Sequence, residues 1–155
     1  MSHVICYANL AITDLDVLRQ VAEEVGMELV EATTYKWYGS WVNDYSKEDA
    51  AYKLGIQPEQ YGKCDGWKLK LKNNPGAYEI GLHKNPNGPG YVLVYDFYGV
   101  HGQALKKAIG GSGENVKQAY VAELTKKQLK AKGFKVVEDK KLENGKQRVR
   151  LQRMG

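Results

Sequence analysis

The chain of 155 residues has a formal net charge of +5, from 23 Lys or Arg against 18 Asp or Glu. A chain of this length fits a single domain, residues 1-155, whose folding buries roughly two thirds of the unfolded surface. No run approaches the ~20 apolar residues of a membrane helix, and the amino terminus lacks the basic and apolar regions of a signal peptide. We therefore expect a cytoplasmic protein with no membrane partner.

Two cysteines, Cys6 and Cys64, are too few for a disulfide framework, and neither has a second Cys or His at metal-ligand spacing. The sequence predicts free thiols in a reducing compartment, with no bound metal and no cofactor. The charge is unevenly divided, since residues 1–100 have nine Lys or Arg against thirteen Asp or Glu, and residues 101–155 have fourteen against five. This asymmetry favours either a basic surface for an anionic partner or a solvated helix face.

The chain opens on a predicted β-α-β unit. Apolar residues alternate along His3 to Ile12, which is typical of a strand with one buried face. Thr13 is the predicted N-cap of a helix, with Asp16 at the capping-box spacing, and Gly26 ends that helix. Met27 to Thr34 is the predicted second strand.

An aromatic-rich excursion follows over residues 35-66. Positions 35 to 67 hold eight of the sixteen aromatic residues of the chain. With lysines between them, these rings predict either a stacking platform for bases or a satellite core in which each ring buries ~150–250 Å². A capping box predicts one short helix here, over Lys47 to Leu54. The candidate stacking residues are Trp37, Tyr38 and Trp41.

The predicted sheet is organised around a hairpin over Ala77 to Gly99, where two strand-like runs flank a loop rich in Asn, Pro and Gly. The second run, Tyr91 to Phe97, is apolar on both faces, as in a central strand. Before the hairpin, Trp67 to Lys72 alternates lysine with apolar residues, which is typical of an exposed strand whose lysines block edge-to-edge pairing. His101 to Gly113 is predicted to be irregular, apart from a helical turn at Gln103 to Ile109.

The last third of the chain predicts a long helix and a closing hairpin. The helix covers about Glu114 to Lys132, with one buried stripe and lysines in its last turns, where the helix dipole favours them. Strands at Phe134 to Lys140 and Gln147 to Gln152 pair through an Asn-Gly turn. Together the elements predict an α+β domain: a mostly antiparallel sheet with two main helices, in a ferredoxin-like arrangement with additional strands.

Several segments, taken in order, resemble one family. They are the opening MSH, YKWYG followed by GKCD (Gly62–Asp65), YEIGL (Tyr78–Leu82), YVLVYDFYG, the helix with QAY (Gln118–Tyr120), KGFKVV (Lys132–Val137) and the terminal GKQRVRLQR. The chain thereby resembles the uncharacterised plastid and cyanobacterial reading frame numbered thirty-five, a conserved domain of unknown function also met in bacteria and phages. In that family a His often follows the Cys-Asp pair, whereas Gly66 does so here. The resemblance covers nearly the whole chain and implies no established activity.

Three ionisable residues of the central hairpin are candidates for chemistry. Glu79, His83 and Asp96 share a face only if the two residue numbers in each cross-strand pair add up to an odd number, as when Ile80 pairs with Leu93. A register shifted by one residue would place Asp96 on the opposite face from Glu79. With that register and a pocket they would suit a metal-dependent hydrolase. Otherwise they have hydrogen-bonded structural roles.

A second candidate site lies where the central strand meets the glycine loop before the long helix. Backbone N–H groups at such a helix start can hold a phosphate, although the loop lacks the spacing and lysine of a P-loop. The predicted ligand-binding residues are Tyr95, Asp96, Tyr98, Gly111, Ser112, Gly113 and Lys117. The predicted basic surface consists of Lys126, Lys127, Lys130, Arg148 and Arg150.

These features predict a non-enzymatic binding protein for a phosphorylated ligand, either a nucleotide or a nucleic acid, of the kind found among phage or plastid-type accessory factors. The first alternative is a protein-interaction or assembly factor, without a small ligand, whose aromatic segment docks on a partner such as a host protein. A homo-oligomer is also compatible with the sequence. The second alternative is the metal-dependent hydrolase.

Overall fold

The structure of the chain is a computed structural model. It describes residues 4–6, 11–37, 62–111, 113–141 and 147–153. These residues form seven strands and three helices. The strands are β1 (Val4–Cys6), β2 (Met27–Thr34), β3 (Lys63–Leu71), β4 (Ile80–Lys84), β5 (Tyr91–Asp96), β6 (Phe134–Lys141) and β7 (Gln147–Arg153). The helices are α1 (Leu15–Glu24), α2 (Gly99–Ile109) and α3 (Glu114–Ala131).

The first five strands form one antiparallel sheet in the order β1-β5-β4-β3-β2, and β6 pairs with β7 in a separate hairpin. Consecutive strands from β2 to β5 pair in sequence order as a meander. This confirms the α+β class with a mostly antiparallel sheet. The strand order differs from a ferredoxin-like arrangement, which would place the first strand inside the sheet, whereas β1 pairs with β5 at one edge of the described sheet.

Each face of the sheet carries its own apolar cluster. On one face the three helices pack over the sheet, and their buried residues, among them Leu18, Leu105 and Tyr120, meet strand residues such as Leu82. On the other face a smaller cluster joins Tyr35 and the free thiol Cys64 to Val92 and Val94. Strand β5 is therefore buried on both faces, as its sequence predicts.

Two of the helices, α1 and α2, differ from the predictions. Asp14, not Thr13, is the N-cap of α1, because its side chain accepts a hydrogen bond from the Val17 N–H at 3.0 Å. The helical turn predicted at Gln103 to Ile109 is part of α2, but this helix begins earlier, at Gly99, so the irregular chain predicted at His101 was wrong.

Some predictions fall outside the described residues. These are the helix over Lys47 to Leu54 and the aromatic residues Tyr38 and Trp41. The predicted first strand is described at β1 and again at Ile12, whose backbone bridges Tyr91. None of the described helices is long and apolar enough to cross a membrane.

Candidate functional site

The register of the central hairpin brings its three ionisable residues to one face. Gly81 pairs with Val94 and His83 with Val92, so the two residue numbers in each pair add up to an odd number. Glu79, His83 and Asp96 therefore lie on the face opposite the helices. All three are buried, with exposed fractions of 5%, 4% and 1% respectively. The sequence did not decide whether these three side chains share a face of the sheet, and the observed register shows that they do.

Glu79 has its own set of partners on this face. Its Oε1 atom accepts a hydrogen bond from the backbone N–H of Lys36 at 2.8 Å and another from the Lys68 ammonium at 2.9 Å. In return, the Glu79 N–H donates to the Lys36 carbonyl at 2.9 Å. A buried carboxylate without a partner would be costly, and these contacts compensate it. The contacts tie the chain after β2 to the start of β4.

His83 has a different neighbour. Its Nδ1 atom lies 3.9 Å from Oδ2 of Asp65, and its Nε2 atom has no hydrogen-bond partner among the described residues. Burial lowers the pKa of His83, while the Asp65 carboxylate and a backbone hydrogen bond with Lys63 act in the opposite direction. Burial also raises the pKa of the nearby Cys64 thiol, which donates to the Ala32 carbonyl at 3.3 Å. Neutral forms of both side chains are therefore favoured.

Asp96 lies near the start of the same hairpin: extended by two residues, the register that pairs Gly81 with Val94 sets Asp96 across from Glu79. Its Oδ1 atom accepts a hydrogen bond from the Tyr98 N–H at 2.9 Å. Glu79 and His83 stand four residues apart along one extended chain, a distance of ~13 Å at ~3.3 Å per residue. Within the described ranges, no group of three or more His, Cys, Asp or Glu residues is placed to hold a metal ion. Glu79 and His83 therefore have separate polar contacts, Glu79 with Lys36 and Lys68 and His83 with Asp65.

The predicted ligand residues at the end of β5 point to different parts of the molecule. Tyr95 is fully buried in the cluster under the helices, where its ring centroid lies 4.9 Å from that of Phe97. Asp96 faces the other side of the sheet, and Tyr98 is the exposed N-cap of α2. The strand therefore separates these three side chains instead of gathering them around one ligand.

The glycine loop carries an acidic side chain of its own. Gly113 is the N-cap of α3, and a Cβ atom placed on Gly110 would overlap the carboxyl group of Glu114. That carboxylate occupies the helix start, where the helix dipole favours negative charge, so a phosphate there would meet a like charge. Of the other predicted residues, Gly111 is exposed, Lys117 is half-buried, and Ser112 lies outside the described residues.

The predicted basic surface is partly neutralised by ion pairs. Lys126 pairs with Glu123 at 2.5 Å, and Lys127 pairs with Asp14 at 2.6 Å. Lys130 is exposed at the end of α3. The remaining two residues, Arg148 and Arg150, lie in β7 of the separate hairpin.

A pocket that the sequence did not predict lies where the chain after β2 meets β3 and the turn that follows it. Its volume is about 330 Å³. Leu, Asn, Pro and Ala residues complete its lining, and no aromatic side chain of the described residues lines it. Its charged lining consists of Glu28, Lys36, Lys68, Lys70, Lys72 and Glu79. We call this the lysine pocket.

The charges of the lysine pocket are only partly compensated. Lys68 pairs with Glu79, Lys36 donates to the Pro75 carbonyl at 2.5 Å, and Lys72 pairs with Glu23 of α1. Lys70 forms no ion pair or hydrogen bond within the part of the chain that the structure describes, although Glu28 lies across from it on β2. The alternating lysines of β3 are visible in the sequence, but their pattern predicted an exposed strand at the edge of the sheet, not a pocket. That interpretation was wrong, because β3 lies between β2 and β4.

No family model, curated protein or solved structure matches this chain.

Proposed function

We propose that the protein is a non-enzymatic binding protein for a phosphorylated ligand, and that the lysine pocket holds the phosphate. The observation that carries the proposal is the convergence of four lysines against two glutamates around one cavity of about 330 Å³. The lining has a formal surplus of two positive charges, one of which Glu23 of α1 compensates through its pair with Lys72. The remaining positive charge attracts a phosphate monoester, which carries about −1.5 to −2 at pH 7.

Lys70 is the residue best placed to bind the phosphate. It is half-buried, and its ammonium is not committed to a carboxylate among the described residues. An ammonium that has already lost part of its hydration binds an anion more strongly than one in bulk water. The neighbouring Lys68 is shared with Glu79 and supplies a second donor on the same side of β3.

The proposal is tested by calorimetric titration with methyl phosphate and with ribose 5-phosphate. Lys70→Gln is compared with Lys107→Gln, since Lys107 is an exposed lysine of α2 outside the pocket. We expect Lys70→Gln to weaken the binding of both compounds by about tenfold, the loss of one charge-assisted hydrogen bond. Lys107→Gln should leave binding unchanged. No binding of either compound to the wild-type protein, or equal effects of the two variants, would contradict the proposal.

A further inference from the structure

The lysine pocket contains carboxylates as well as ammonium groups, and this restricts its ligand further. Among the described residues, both hydrogen bonds to the Glu79 carboxyl end on its Oε1 atom. The Oε2 atom is the oxygen left for a donor. Glu28 adds a second carboxylate with no ion pair in the described structure, although it lies across from Lys70.

Carboxylate oxygens in a phosphate site disfavour the phosphate itself and favour hydrogen-bond donors such as hydroxyl groups. A ligand that satisfies both halves of the lining has an anionic end and several hydroxyls. The volume of about 330 Å³ is at the small end of the range for ligand sites and suits a small molecule better than a polymer.

From this lining we infer that the lysine pocket binds the phosphate monoester of a sugar or other polyol, with its phosphate on Lys70 and its hydroxyls on Glu28 and Glu79. The inference rests on the proposed function and specifies its ligand. Free phosphate and nucleotides carry the same anionic group as a sugar phosphate. Tighter binding through the hydroxyls distinguishes a sugar phosphate from free phosphate, and tighter binding through the base would indicate a nucleotide.

The test compares methyl phosphate, ribose 5-phosphate and AMP in the same calorimetric titration of the full chain. We expect ribose 5-phosphate to bind about tenfold more tightly than methyl phosphate, because a hydroxyl-to-carboxylate hydrogen bond is charge-assisted. AMP should bind no more tightly than ribose 5-phosphate. Glu28→Gln, which keeps the shape of the side chain and leaves the pair of Lys68 with Glu79 intact, should reduce the preference for ribose 5-phosphate over methyl phosphate.

The outcomes separate the inference from the proposed function. If Lys70-dependent binding is found but methyl phosphate and ribose 5-phosphate bind equally, the phosphate site stands and the polyol inference fails. Tighter binding of AMP than of ribose 5-phosphate, or a preference that Glu28→Gln leaves intact, also overturns the inference alone. If none of the three compounds binds, the proposed function fails first.

Discussion

Tyr120 connects two elements that are far apart in the sequence, and its removal tests how the helices are held together. Its hydroxyl accepts hydrogen bonds from the backbone N–H of Thr13 at 3.0 Å and of Asp14 at 3.1 Å. These donors stand at the start of α1, while Tyr120 lies in α3 and is fully buried. Tyr120→Phe removes only the oxygen, so the ring keeps its place in the core. Two hydrogen bonds at ~0.5–1.5 kcal/mol each give an expected loss of about 1–3 kcal/mol in the free energy of unfolding.

The loss is measured by equilibrium unfolding in urea, with the midpoint and slope compared between variant and wild type. Tyr91→Phe is the matched control, because Tyr91 is a half-buried tyrosine whose hydroxyl makes no hydrogen bond among the described residues. We expect the control to change stability by less than about 0.5 kcal/mol. A Tyr120→Phe variant as stable as the control would refute the role of the hydroxyl as a link between α1 and α3.

Three further predictions follow from close packing and from shifted pKa values. Gly81→Ala should destabilise the protein by about 1–3 kcal/mol in the same unfolding assay, because the new Cβ would overlap the ring of Tyr35; an equal loss in a Tyr35→Ala background would contradict this cause. Since burial lowers the pKa of His83, the unfolded chain binds its proton more readily, and the stability present above about pH 6.5 is lost as the pH falls. His83→Gln should flatten this dependence, and an unchanged slope would count against it. Lys127 lowers the pKa of Asp14 through their hydrogen bond, so the stability from this pair is present above about pH 4 and is lost as the pH falls further. Lys127→Gln should raise the carboxyl pKa in an NMR titration, and an unmoved titration curve would exclude the pair as its cause.

Elements with a regular local pattern could be predicted from the sequence. Strand β2 has the predicted bounds, and α3 ends at Ala131, one residue before the predicted end. In both cases the signal is contained in the element, because apolar periodicity and a terminal glycine act over a few residues. These elements need no information about the rest of the fold.

The first turn of α2 was not predicted, because its sequence contains a glycine that serves tertiary packing. A Cβ atom on Gly102 would overlap the backbone of Phe97, so α2 approaches the end of β5 more closely than another residue would allow. In the sequence alone, a glycine in a short apolar pattern indicates irregular chain. The helix therefore depends on a contact that no local pattern reveals.

The register of the central hairpin was also beyond the sequence. Its loop is closed by a hydrogen bond from the Asn85 N–H to the Gly90 carbonyl at 2.9 Å, and a loop of this length does not fix the register as a two-residue turn does. Both faces of β5 are apolar, so neither face of the strand is selected by hydrophobicity. Whether Glu79, His83 and Asp96 share a face is consequently decided by the assembled sheet.

The position of β3 within the sheet determines what its lysines do. On an edge strand, alternating lysines would face water and prevent pairing with another chain. Inside the sheet, with β2 on one side and β4 on the other, the same lysines are brought against carboxylates from neighbouring strands. Lys68 meets Glu79 of the chain leading into β4, whereas Lys70 lies across from Glu28 without an ion pair in the described structure. The two lysines are equivalent in the sequence, and the strand order gives only one of them a carboxylate partner among the described residues.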